Sequence, residues 1–150
     1  MDHTAPDRLW DVHKLEANTV RTVLIHTMLH TRNVIAQPWL QDLEVGAAPC
    51  GNGIIVFARS REEYEGMLQF DVPRHRLFMG FEQDWPRMNC VPEWFTVEPD
   101  EVHLYEVKDA DSGTVQELSG AALSKGLPVR LEPGKALRLE VMPTKGNGLQ

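Results

Sequence analysis

The sequence predicts a mainly β protein: an antiparallel β-sandwich with one N-terminal amphipathic helix. Three observations carry this. From residue 37 onward, about eight short extended runs cut by Gly and Pro follow one another at the spacing of sandwich strands. The closing stretch alternates, with Leu137, Leu139 and Val141 on one side and Arg138 and Glu140 on the other, which is the period of a half-buried strand. Before residue 37 the period becomes helical. The expected division is a lead-in and helix over 1–36, a sandwich over 37–145 and a loose tail over 146–150.

Residues 1–8 read as a frayed lead-in, and the helix is expected from Leu15 to Ile35. On a wheel of about 100° per residue, Val20, Val23, Leu24, Thr27, Met28, Thr31, Val34 and Ile35 share one face. Ile25 and Leu29 fall on the opposite side. A helix that is apolar on two sides needs two covering layers, so the second is expected from a neighbouring domain or from another copy of the chain.

Leu43 to Ala48 and Ile54 to Arg59 read as a hairpin, with Gly51 to Gly53 supplying the positive φ of its turn. Arg61 to Gly66 is a polar connection, and Met67 to Val72 and His75 to Phe81 are expected strands. The stretch from Phe78 to Glu98 gathers Phe78, Phe81, Trp85, Trp94 and Phe95, while Pro86 and Pro92 forbid a regular helix or central strand through its middle. An ordered, irregular crossing pinned to a core, a partner domain or a ligand is the expectation. Strands at Trp94 to Glu98 and Val102 to Lys108 follow, then a hairpin turn at Asp109 to Gly113. Pro128 to Leu131, Glu132-Pro-Gly-Lys135 and Ala136 to Val141 close the chain as strand, turn, strand.

At 150 residues the chain is long enough to bury about 70% of its unfolded surface without staples. A net charge of −7 with scattered Lys and Arg leaves no electrostatic footprint for a phosphate backbone, so nucleic acid is excluded as an expected partner. Cys50 and Cys90 match no metal or redox spacing and read as separate free thiols. The opening Met-Asp-His-Thr-Ala-Pro-Asp is acidic where a signal peptide is basic and then apolar, and no run approaches a membrane span. No membrane partner and no cofactor are expected. If the chain is a fragment of a longer, exported protein, its address lies upstream.

Four constellations carry possible chemistry. His26 and His30 share a helix face with Thr19, Thr22 and Asn33; two imidazoles four residues apart can ligate zinc, but no third ligand is placed by spacing, and a solvated or interdomain polar face is favoured. Glu82, Asp84 and Glu93 offer carboxylates of the kind glycosidases pair, with His75 and His103 as further acid–base candidates. Arg87 in the same crossing serves equally as a structural partner of Asp84 or Glu93. Trp85, Trp94, Trp39 and Tyr64 present flat faces suited to sugar rings, with Arg87 and Asn89 for hydroxyls. Asp109, Asp111 and Ser112 resemble the start of a calcium loop, but Gly120 stands where the bidentate Glu belongs, and a plain turn is favoured.

A helix containing Leu15-Glu-Ala-Asn18, the run Phe70-Asp-Val-Pro-Arg-His75, the stretches Trp85-Pro-Arg-Met-Asn89 and Pro92-Glu-Trp-Phe-Thr-Val-Glu98, and the closing Leu131-Glu-Pro-Gly-Lys-Ala-Leu-Arg-Leu-Glu-Val141 stand together here. The combination resembles the C-terminal region of large bacterial polysaccharide-degrading enzymes, glycoside hydrolases and polysaccharide lyases in which an α/α toroid precedes β-sandwich domains. The resemblance implies a non-catalytic accessory module that supports domain packing or glycan contact, with the helix as the last piece of the toroid and the active site upstream. No catalytic motif of that group is matched. The residues themselves leave two other readings open: a small self-contained hydrolase or lyase, and a homo-oligomeric structural protein.

Overall fold

Two antiparallel sheets, of three and five strands, share one hydrophobic core in the computed structural model, which describes residues 17–81 and 92–144. The elements are α1 (Ala17–Thr31), β1 (Ile35–Gln37), β2 (Leu43–Cys50), β3 (Gly53–Ser60), β4 (Tyr64–Gln69), α2 (Arg74–Met79), β5 (Leu104–Asp109), β6 (Val115–Ser119), α3 (Gly120–Lys125), β7 (Leu127–Leu131) and β8 (Ala136–Pro143). The small sheet has the order β1-β4-β7 and the large one β2-β3-β8-β5-β6. The protein is mainly β with one N-terminal helix, as the sequence predicts.

The alternating strands explain how the sheets meet. In the large sheet Ala47, Val56 and Leu139 stand opposite one another across β2, β3 and β8, and Ile54, Val141 and Val107 form the next inward row. From the small sheet Ala36, Leu68 and Leu127 make one cross-strand row, with Tyr64 and Leu131 paired further along. Leu68 and Val141 are wholly enclosed. The β2–β3 hairpin forms as expected, with positive φ at Gly51 alone, at +57°, the first of its two turn residues.

Several expectations are corrected. Residues 75–81 do not form a strand: Pro73 has no N–H for a ladder, its φ of −68° is preset for a helical first turn, and Arg-His-Arg-Leu-Phe-Met continues as α2. Residues 94–98 are irregular, because the backbone N–H of Val97 is spent on the Asp71 carbonyl and that of Glu98 on the Tyr105 hydroxyl. β4 begins at Tyr64, inside the supposed polar connection, since Tyr64 packs into the core. The closing strand, turn, strand is no hairpin: β7 pairs with β4 and β8 with β3 and β5, so the turn carries the chain from one sheet to the other. β6 is the second strand of the hairpin that turns at Asp109 to Gly113, while β1 and α3 have no counterpart in the sequence reading.

α1 does not bury its expected stripe as a unit: Val23, Met28 and Thr31 of that stripe are half-buried, but so are Ile25 and Leu29 of the other side. Val20 and Leu24, assigned to the core stripe, are about half exposed. The helix lies over Gly46 of edge strand β2, where a β-carbon would stand 3.8 Å from the His30 carbonyl oxygen. Its phase is set by its exit: Arg32 and Asn33 both adopt left-handed backbone, φ +50° and +67°, and turn the chain directly into β1. The helix therefore ends at Thr31, and residues from both of the apolar sides read in the sequence are half-buried.

Candidate functional site

The expected irregular crossing has its described end over residues 92–98, and this segment is strapped across the junction of β4 and α2. The Asp71 carboxylate accepts hydrogen bonds from the Val72 N–H at 2.9 Å, Arg74 Nε at 3.0 Å and Asn33 Nδ2 at 2.7 Å. Asn33 Nδ2 and Arg74 Nη2 both donate to the Pro92 carbonyl, at 2.9 and 3.1 Å. The Val97 N–H closes the other end on the Asp71 carbonyl at 2.8 Å. Asn33 is 1% exposed, while its partners Asp71, Arg74 and Pro92 are half-buried, so the network runs from the core to the surface.

Between those anchors the segment presents Glu93, Trp94 and Phe95. The Glu93 carboxylate accepts from the backbone N–H of His75 at 2.7 Å and lies 3.6 Å from His75 Nδ1, with both side chains buried. Phe95 turns inward and meets Phe70 edge to face at 6.4 Å. Trp94 turns outward, 39% exposed, with the Arg32 guanidinium 5.3 Å from its ring centre. Together with Pro73, Arg76, Phe81 and Thr96 these residues line a cleft of 250 Å³. The Arg76 guanidinium reaches Glu98 at 2.5 and 2.6 Å and remains about half exposed.

Of the residues singled out in the sequence, His75, Glu93 and Trp94 come together in this cleft. Glu82, Asp84, Trp85, Arg87, Asn89 and Cys90 lie outside the described residues. Tyr64 is no sugar platform: it is 1% exposed, its hydroxyl donates to the Pro38 carbonyl at 3.0 Å, and desolvation raises its pKa. Trp39 is 70% exposed and does not cover the helix; it is not among the residues lining the cleft. His103 is absent from the cleft too, its Nδ1 being held 2.8 Å from the Asp100 carboxylate.

Asp100 also accepts the backbone N–H groups of Val102 and His103, and the His103 backbone bond is the main cause of its lowered pKa. Asp109 accepts the N–H groups of Asp111 and Ser112, which makes the stretch the plain turn the sequence favours, and Asp111 pairs with Arg138. Cys50 is a free thiol. His26 and His30 stand side by side on α1, and among the described residues no group of three or more His, Cys, Asp or Glu is placed to hold a metal. No described helix is long and apolar enough to cross a membrane.

Sequence reasoning missed Arg32, Asp71 and Arg74, and placed Asn33 on the polar face of the helix, whereas it lies beyond the helix end and is 1% exposed; together these four residues hold the cleft in place. One signal was present: Asn just beyond a helical period marks a left-handed helix end. The pairing of Asn33 with Asp71, 38 positions away, had none. Comparison with protein-family models, with curated proteins and with solved structures returns no match.

Proposed function

We propose that the chain is a non-catalytic β-sandwich module of a polysaccharide-active enzyme, which contributes one glycan-contacting wall and packs against a neighbouring domain through α1. The observation that carries the reading is Trp94: a partly exposed indole, backed by the Arg32 cation and set beside a half-exposed Arg76 at the rim of a small cleft. An apolar ring face with convergent donors is what a sugar ring requires, since its C–H face stacks while its hydroxyls bond. Glu93 is the one carboxylate lining this cleft among the described residues, and it is already engaged by the His75 N–H. Acid–base glycoside cleavage uses two carboxylates, and the other candidates read in the sequence, Glu82 and Asp84, lie outside the described residues.

The test is titration of the purified chain with defined neutral and uronate-containing oligosaccharides, read by tryptophan fluorescence and calorimetry. Saturable binding that falls about tenfold or more, about 1.4 kcal/mol, in Trp94→Ala is expected. Absence of saturable binding across the panel overturns the glycan reading. A second reading, a self-contained hydrolase or lyase, draws on the close approach of Glu93 to His75. It requires turnover of one of these oligosaccharides that Glu93→Gln abolishes while the thermal unfolding curve stays in place.

A further inference from the structure

α1 carries an arrangement that the cleft does not use. His26 and His30 stand one helical turn apart on the exposed side, with ring centroids 4.3 Å apart and planes at 73°. Two imidazoles bound at right angles through nitrogens about 2.0–2.1 Å from one metal have ring centres about 4.5 Å apart, against about 5.2 Å for a tetrahedral pair. The observed spacing puts the two rings within reach of a single ion. Because both rings are exposed, rotation about their terminal side-chain torsions, which are broad wells, brings the lone pairs to a common point without disturbing the core.

We propose that His26 and His30 form a two-imidazole clip for a divalent transition-metal ion of tetragonal or octahedral preference, Cu²⁺ most tightly and Ni²⁺ less so. Water fills the remaining positions, as no larger cluster of His, Cys, Asp or Glu surrounds the pair among the described residues. The clip has a structural consequence. None of the described side chains of residues 19–31 is fully buried, so the helix is held weakly by packing. A metal bridging positions 26 and 30 binds the helical form alone and stabilises it by linkage.

The test uses the full chain with His3 and His13, which lie outside the described residues, replaced by Ala so that they do not compete. Nickel chloride and copper sulfate are titrated by calorimetry, and thermal unfolding is followed by far-ultraviolet circular dichroism. One equivalent bound, a metal-dependent rise in the melting temperature of the helical signal, and affinity about tenfold or more weaker in either His26→Ala or His30→Ala are expected, since each keeps one imidazole and loses the intramolecular second. His103→Ala leaves the binding unchanged. Binding that survives both helix replacements, that His103→Ala abolishes, or that never saturates overturns the proposal. Should either Ala variant lose its metal-free helical spectrum, His26→Gln and His30→Gln give the same reading.

Discussion

Asn33 shows how much one side chain can hold. It ends α1 in left-handed backbone, and its amide joins Asp71 to the Pro92 carbonyl across the base of the cleft. Asn33→Ala places a β-carbon residue without its own hydrogen bonds in that backbone and takes one donor each from the half-buried Pro92 carbonyl and Asp71 carboxylate, which keep Arg74. A loss of about 2–4 kcal/mol is expected, read from the urea midpoint. Asn33→Gly relieves the backbone and costs less. Asp100 acts through charge. Its pKa is lowered from an ordinary 3.8 chiefly by the His103 backbone N–H. A depressed folded pKa contributes stability that is present above the unfolded value and lost as pH falls through the folded one. Asp100→Asn is therefore expected to make the acid limb of the stability profile shallower, and to leave neutral-pH stability less changed if the amide oxygen keeps the two backbone bonds. Two glycines separate conformation from space. At Gly134 φ is +72° with open surroundings, so Gly134→Ala costs about 1 kcal/mol from backbone strain alone. At Gly53 a β-carbon would fall 2.0 Å from the Val141 carbonyl oxygen. Gly53→Ala must push β3 from β8 and is expected to cost roughly 1–3 kcal/mol or more.

The elements differ in how far their own residues decide them. β8 alternates strictly enough that periodicity finds it and says which face is inward, whereas β2, β3 and β5 are found as short extended runs between turn residues. α2 and the segment 92–98 are decided by competition for backbone hydrogen bonds. A stretch rich in Phe, Val and Thr is a strand only if a neighbouring edge is free to pair, and here Asp71 and Tyr105 take the N–H groups of Val97 and Glu98 instead. The β7–β8 turn is the sharpest instance. Glu132-Pro-Gly-Lys reads as a hairpin turn, yet Gly134 donates to the Ser60 carbonyl at the end of β3 and the strands part to opposite sheets. α1 was found by its period but not phased by it, because its exit through Arg32 and Asn33 sets which residues meet β2.

Across the molecule, protection against opening follows enclosure. β3 and β8 lie at the centre of the large sheet with Val56 and Val141 almost fully enclosed, whereas α1 rests on the outer row of an edge strand. Amide hydrogen exchange is expected to be slowest in β3 and β8, governed by global unfolding, and fastest among the helices in α1, governed by local opening. Equal protection of α1 and β3 would mean that another surface covers the helix. Val20 and Leu24 then matter for assembly: a mass that doubles with concentration would favour the chain's own copy over a neighbouring domain as the covering layer.

The sequence by itself determined the fold class, the inward face of β8, the β2–β3 and Asp109–Gly113 turns, and the presence of a helix before residue 37. Each is a local property, a period of two or 3.6 or a residue able to take positive φ, and local properties are written in consecutive residues. Only the tertiary structure decided that β7 and β8 part company, that Glu93 meets His75 while His103 does not, and that Asn33 supports a cleft built from α2 and residues 93–96. Those outcomes depend on which distant donor claims which acceptor, a choice between contacts of nearly equal intrinsic worth that is settled by the packing of the whole chain.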